Sequence, residues 1–189
     1  MTKKELRKIF TEKRSRLTEA EQSKLDDLLL IQFQKLPLPD IQYLFTYYPF
    51  ASKREPGTAL VTRYLQFLIP SLQIAIPQID ISTGEMKAML VNDETIYALN
   101  HYEIFEPQNG IELDHLKIDL VIVPLLAVDE EGYRVGYGKG FYDRFLVQCR
   151  EEMVTVGLSY FEPIEKIEDT NAFDVPLKYC ITPERLYEF

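Results

Sequence analysis

Apolar residues recur at helical spacing through the first part of the chain and then give way to short continuous runs. Leu6, Ile9, Phe10 and Leu17 follow Thr2-Lys-Lys-Glu5, where a threonine stands three residues ahead of a glutamate; this capping-box arrangement predicts a helix starting at about Lys3. Thr18 and Glu21 repeat the arrangement ahead of Leu25, Leu28, Leu29, Phe33 and Leu36, and Pro37 and Pro39 end that second helix. Ile41 to Tyr48 reads as a strand ending at Pro49. The polar stretch Phe50 to Thr58 is a loop leading into a helix that carries Leu60, Tyr64, Leu65 and Leu68 on one face. Leu72 to Ile76 and Lys87 to Val91 are strands with Ser82-Thr83-Gly84 as turn chemistry between them, either a hairpin or the flanks of an insertion. His101 to Gly110 reads as a loop or connector. Lys117 to Val123, KIDLVIV, is the run expected of a strand buried on both faces, and it is the candidate central strand. A helix from Phe141 to about Cys149, a strand starting at Val154 and a last short strand at Tyr179 to Thr182 complete the pattern. Strand, loop, helix, strand is a βαβ unit, so the chain is expected to be one α/β domain over residues 1–189 with a mainly parallel sheet.

The loop of that unit carries the chemistry. Four of the eight glycines, Gly132, Gly136, Gly138 and Gly140, fall within GYRVGYGKGFYDR, among Arg134, Lys139 and Arg144. Glycine lets the backbone approach a ligand closely and turn successive amides towards one anion, and the helix opening at Phe141 adds its unpaired N–H groups. Phosphate is the guest that suits such a loop; a plain surface turn is the alternative. The loop is neither a P-loop, since Gly140 follows Lys139 where a serine or threonine would hold magnesium, nor the dinucleotide fingerprint, whose spacing is G-x-G-x-x-G.

Charge is unevenly placed along the chain. Residues 1–24 hold eight Lys/Arg against four Asp/Glu, whereas the whole chain of 189 residues has a formal net charge of −9. An acidic body speaks against general nucleic-acid binding, and a basic first helix on it suggests a local anion site. Lys3 and Arg7 lie four apart on one face, with Lys3 in a first turn where a cation opposes the helix dipole; they form either a solvated face or part of that site. Glu55 sits in a strand-to-helix loop, the part of a parallel sheet where ligands bind, although a loop glutamate is by default solvated. The longest apolar run is far too short for a bilayer, and MTKKELRKIF has charges where a signal peptide has its apolar segment, so a soluble cytoplasmic protein is expected. Two cysteines and two histidines, without metal-ligand spacing, leave oxygen ligation and hence magnesium as the expectation for any metal.

VPLLAVDEEGYRVGYGKGFYDRFL, residues 123–146, resembles the signature of the 5-formyltetrahydrofolate cyclo-ligase (5,10-methenyltetrahydrofolate synthetase) family. Lys3 to Arg7, Glu55-Pro-Gly-Thr58, Ile104-Phe-Glu-Pro107, VGLSYFEP and NAFDVPLKYCIT resemble its other segments, so the likeness runs essentially the full length. The chain departs from the pattern at Phe173, where members often have histidine, and at Pro183, where glutamate is frequent. The resemblance implies a three-layer α/β/α fold similar to the NagB/RpiA/CoA-transferase group. It also implies ATP- and magnesium-dependent closure of 5-formyltetrahydrofolate to 5,10-methenyltetrahydrofolate through phosphorylation of the formyl oxygen. By the same likeness Lys3, Lys4 and Arg7 with Arg134, Gly136, Tyr137, Gly138, Lys139, Gly140, Phe141 and Tyr142 bind ATP, and Lys139 and Arg134 are the catalytic cations. Phe50, Glu55, Tyr102, Glu106, Lys139 and Phe141 take the folate, and Asp143 with Asp174 takes magnesium. The expected partners are these small molecules, with no nucleic acid and no membrane, in a monomer or weak homo-oligomer. Other enzymes of the same fold, a sugar-phosphate isomerase or acyl-CoA transferase, and a non-catalytic nucleotide- or folate-binding regulator are the competing classes.

Overall fold

The structure, a computed structural model, describes residues 1–80, 82–100 and 105–189. Helices α1 (Lys3–Ser15) and α2 (Glu19–Phe33) open the chain, each closed at its N-terminus by the expected capping box. The Thr2 and Thr18 hydroxyls accept from the Glu5 and Glu21 amides, and the glutamate side chains take back the threonine N–H groups. Strand β1 (Tyr43–Phe45), helix α3 (Ala59–Leu68) and strand β2 (Gln73–Asp80) follow, and β2 turns into β3 (Glu85–Val91). Next come β4 (Tyr97–Leu99), β5 (Phe105–Pro107), β6 (Glu112–Leu113) and β7 (Leu120–Val123). After β7 the chain forms β8 (Ala127–Val128), β9 (Arg134–Val135), helix α4 (Phe141–Leu146), β10 (Val154–Leu158), β11 (Tyr179–Ile181) and β12 (Leu186–Glu188).

Eight strands form one sheet in the order β12-β11-β10-β7-β1-β2-β3-β6. The five central strands are parallel, while β12, β3 and β6 join antiparallel at the two sides. The β2–β3 pair is thus the hairpin allowed by the Ser82 to Gly84 turn. The run KIDLVIV provides the expected central strand, with all four residues of β7 buried. Successive side chains of a strand point to opposite faces, and the core divides accordingly. Leu44, Leu120 and Ile122 pack with Leu29, Phe33, Val61 and Leu65 of α2 and α3. Phe45, Val121 and Val123 pack on the other side with Phe145 and Leu146 of α4. Helices therefore cover both faces, giving a mixed α/β fold with three layers.

The crossovers explain where a ligand belongs. From β1 the chain moves through α3 to β2 on one side; from β7 it moves through α4 to β10 on the other. Parallel crossovers are almost always right-handed, so opposite directions of travel put α3 and α4 on opposite faces. Between β1 and β7 the direction reverses, which opens a crevice at their carboxyl ends.

Several segments differ from the expectations: β2 runs on to Asp80, β12 follows the strand expected to be the last, and α3 buries Val61 and Leu65 while Leu68 is exposed. The predicted strand at 41–48 keeps ladder pairing only over β1, because the chain leaves the sheet for the crevice. The helix from Phe141 ends at Leu146 and continues as turns to Cys149. The connector at 101–110 contains β5, paired to β4 in a separate two-stranded sheet. A further hairpin, β8–β9, lies between β7 and the glycine loop. Buried Asp129 builds its turn, Oδ1 accepting from the Glu131 and Tyr133 amides and Oδ2 from Ile167. Leu6 and Phe10 of α1 pack on this hairpin with Leu126, Ala127 and Val135.

Candidate active site

A cleft of about 650 Å³ occupies the crevice beyond β1 and β7. The glycine loop and α1 form one wall and the Phe50 to Thr58 loop another, while Ile76, Pro77, Ile79, Met86 and Phe105 form an apolar third. Lys3, Lys4, Arg7, Arg134, Gly136, Tyr137, Gly138, Lys139, Gly140, Phe141, Tyr142, Asp143 and Asp174 all line it, together with Phe50 and Glu55. The fold thus gathers residues separated by more than 160 positions.

The basic end of α1 meets the C-terminal segment. The Lys3 amide donates to Asp169 Oδ1 at 2.6 Å, placing a carboxylate at the positive end of the helix. Lys3 Nζ lies 2.5 Å from Asp174 Oδ2, which also accepts from the Asn171 amide. The lysine that opposes the dipole is therefore part of an enclosed ion pair and not of a solvated face. One turn on, Arg7 Nε donates to the Gly136 carbonyl at 2.9 Å, and its guanidinium lies against Gly138. The first helix and the glycine loop are in direct contact.

Within the loop, Gly138 and Gly140 have φ of +90° and +67°, the left-handed region open to glycine. Gly136 does not, yet a Cβ there would have no atom within 4 Å and would stand in open cleft space. Arg144 fastens the loop, donating to the Lys139 carbonyl at 3.1 Å and to the Gly84 carbonyl at 3.0 Å.

Arg134 is buried and bound to Asp143 Oδ1 at 2.9 Å, with a further bond to the Val175 carbonyl. Burial lowers the guanidinium pKa and the Asp143 carboxylate opposes that effect. Asp143 Oδ1 also accepts the Val175 amide at 3.1 Å, leaving Oδ2 without a hydrogen bond among the described residues. Among the described residues no group of three or more His, Cys, Asp or Glu is placed to hold a metal. Asp143 and Asp174 are each half committed to a cation. Such a set fits a magnesium ion that keeps waters and is shared with nucleotide phosphates, as magnesium commonly is. It does not make an all-protein cage.

Glu55 overturns the default for a loop glutamate: it is 2% exposed. Its Oε2 accepts the Phe50 amide at 2.7 Å and its Oε1 the Tyr137 hydroxyl at 2.5 Å. The loop around it is pinned from behind. Gln22 Nε2 donates to the Glu55 carbonyl, Asp26 Oδ1 accepts from the Gly57 amide and the Tyr160 hydroxyl, and the Thr58 hydroxyl donates to the Tyr47 carbonyl. Tyr137, expected to serve ATP, thus spends its hydroxyl on the carboxylate. Phe50 and Tyr137 meet edge to face at 6.1 Å with Lys53 Nζ over both rings. The Tyr142 hydroxyl is buried without a partner among the described residues, and burial raises its pKa with Glu55 adding to the effect.

Of the expected folate contacts, Glu106 does not line the cleft and Tyr102 is not among the described residues. Glu106 is buried, its Oε1 accepting the Ile79 amide at 3.0 Å and Asn100 Nδ2 at 2.8 Å, and it braces β5 against β2. Phe173 is 84% exposed beside the cleft residues Asn171 and Asp174, its amide held by Asn171 Oδ1. Sequence reading missed Arg14, Lys53, Asp169 and Asn171. Arg14 had a signal: it continues the spacing of four from Leu6 and Phe10, so a cation stands in the buried stripe. The others had none, because their neighbours in the cleft are distant in sequence.

The family profile described as the 5-formyltetrahydrofolate cyclo-ligase family matches residues 1–183. A 5-formyltetrahydrofolate cyclo-ligase of Mycoplasma pneumoniae is 30% identical over 189 residues, covering 97% of this chain and all of the relative. The enzyme of the same name from Escherichia coli is 30% identical over 112 residues, covering 57% of this chain and 61% of its own. Among solved structures, the 5,10-methenyltetrahydrofolate synthetase of Aquifex aeolicus superposes with a TM-score of 0.81 at 27% identity, over all of this chain and 93% of that one. The synthetase of Mycoplasma pneumoniae gives 0.73 at 26%, covering 96% and 98%.

Proposed function

Because this chain belongs to the 5-formyltetrahydrofolate cyclo-ligase family, we propose that its cleft closes 5-formyltetrahydrofolate to 5,10-methenyltetrahydrofolate at the expense of ATP, with magnesium. The observation that carries the reading is the presence of two chemistries in one cleft. Lys4, Arg7, Lys139 and the glycine loop give its lining cations and backbone amides, and Phe50, Ile76, Pro77 and Met86 give it apolar surface beside buried Glu55. The first suits a triphosphate, the second a pterin whose N–H donors need a carboxylate.

The formyl carbon of the substrate is amide-like and weakly electrophilic, and its oxygen is a poor leaving group. Attack of that oxygen on the γ-phosphorus forms the O–P bond and releases ADP. N10 then adds to the activated carbon and loses its proton, and the C–O bond breaks to release phosphate and leave the methenyl bridge. Such a transfer asks the protein for positioning and for offset of negative charge. The open space at Gly136 lets phosphate oxygens approach the backbone, Arg7 braces the loop from α1, and Lys139 meets charge that moves to the transferred oxygen. Arg134, which donates to Asp143 and to the Val175 carbonyl, holds the Asp143 carboxylate in place. Asp143 and Asp174 would hold magnesium, which supplies neutralisation of phosphate charge. Glu55 accepts the pterin donors, and the Tyr142 side chain lines the same cleft.

The test is a spectrophotometric assay of purified protein with 5-formyltetrahydrofolate, ATP and magnesium, following methenyl absorbance and omitting each component in turn. An increase that requires all three is expected. Folded protein that binds both substrates without producing the absorbance, or produces it without ATP, refutes the reading.

A further inference from the structure

Arg14 is 2% exposed, on the buried face of α1, and no step of the reaction uses it. Its Nη2 donates to the Tyr137 hydroxyl at 2.7 Å, and that hydroxyl donates to Glu55 Oε1 at 2.5 Å. Nη1 points to the Leu125 carbonyl at 3.4 Å, and Nε has no partner among the described residues. A buried guanidinium is therefore retained with incomplete hydrogen bonding, an arrangement that opposes burial of a charged group.

The chain of bonds has only one direction. A guanidinium donates and cannot accept, so the Tyr137 hydroxyl oxygen accepts the hydrogen bond from Arg14 and its own O–H donates to Glu55. Oε1 then has a fixed donor in Tyr137 and Oε2 a fixed donor in the Phe50 amide. Each oxygen accepts one hydrogen bond from the chain and, as half of a carboxylate, has a second lone pair.

We propose that Arg14 and Tyr137 are positioning residues for the reaction: they fix the rotamer and acceptor role of Glu55, so that the glycine loop and α1 together shape the folate site of the cleft. This rests on the assignment of Glu55 to the folate under the proposed function. The Tyr137 hydroxyl accordingly serves folate recognition although the residue lies inside the loop assigned to phosphate.

The experiment compares steady-state constants for Tyr137→Phe, Arg14→Met, Arg14→Lys and Glu55→Gln, with melting temperatures of each. Loss of a charge-assisted hydrogen bond predicts a rise of about tenfold or more in the folate KM for Tyr137→Phe and Arg14→Met, with the ATP KM within about twofold of wild type. Arg14→Lys retains a donor and restores most of the folate KM. Adding Tyr137→Phe to Glu55→Gln raises the folate KM little further, because the pair acts as a unit. Where Arg14→Met does not fold, Tyr137→Phe, which keeps the ring, decides. Wild-type folate KM in folded Tyr137→Phe beside a raised KM in Glu55→Gln overturns the relay and leaves the function standing. An equal rise in both KM values makes the role structural and also overturns it. No change in Glu55→Gln removes Glu55 from folate binding, and the relay with it.

Discussion

Replacing Gly136 and Gly138 separately by alanine isolates what the glycine loop is for. A Cβ on Gly138 must adopt φ of +90° and meets Arg7 Cζ at 3.2 Å and Nε and Nη2 at 3.4 Å. The backbone strain is about 1–2 kcal/mol for a residue with a side chain in the left-handed region, before any displacement of Arg7. In a protein of this size 1 kcal/mol moves the melting temperature by about 2–4 °C, so Gly138→Ala should melt about 2–8 °C lower. Gly136 has neither feature, since its φ is ordinary and the added Cβ meets nothing within 4 Å. Its replacement reduces the freedom of the unfolded chain and should raise stability by about 0.4–1 kcal/mol, or about 1–4 °C. Yet that methyl stands where phosphate oxygens would approach the backbone. Losing one or two such contacts, at about 1.4 kcal/mol for each factor of ten, should weaken ATP ten- to a hundredfold. Calorimetric melting gives the first quantity, and titration with a non-hydrolysable ATP analogue gives the second. Gly136→Ala is thus expected to be the more stable and the poorer binder. Unchanged nucleotide affinity in that variant would refute the cradle.

Asp143→Ala leaves the buried Arg134 guanidinium without its carboxylate, a loss of about 3–5 kcal/mol that should lower the melting temperature by at least about 6 °C. Asp143→Asn keeps an oxygen acceptor and should melt nearer to wild type; turnover that stays normal over a magnesium titration in this variant would reject the metal role. Burial raises the pKa of Asp26, against bonds from Tyr160 and Gly57 that lower it. The folded protein therefore holds this proton more tightly than the unfolded chain. The contribution to stability is complete below the ordinary value of 3.8 and is lost as pH rises through the higher folded value. Both hydrogen bonds end on Oδ1, which asparagine reproduces. Asp26→Asn should accordingly gain melting temperature relative to wild type between pH 4 and pH 7, and a difference that is flat or falls across that range contradicts the assignment.

Much of the fold was legible because its signals are local. Both capping boxes, the apolar stripe of α1, the Ser82 to Gly84 turn and the buried run before Val123 involve residues within a few positions of one another, and each forms as the pattern predicts. The glycine loop was legible for the same reason, since four glycines in nine positions state a backbone requirement directly. The short hairpin of β8 and β9 was not, because two-residue strands are too brief to show a period.

Local patterning was enough for the helices, the parallel strands, the α/β class and the family resemblance, and it placed cations, carboxylates and glycines in segments that a ligand site would use. Only the tertiary structure decided which charges answer one another. Lys3 meets Asp174 across 171 positions, Glu55 meets Tyr137 across 82, and Arg14 reaches Tyr137 across 123. Glu55 is consequently buried and aimed, Lys3 is enclosed, and Glu106 braces a strand outside the cleft. The physical reason is that a hydrogen bond or ion pair depends on a separation of a few ångströms, which local propensity does not encode. That separation follows from strand order, and strand order from two crossovers that leave the junction of β1 and β7 in opposite directions.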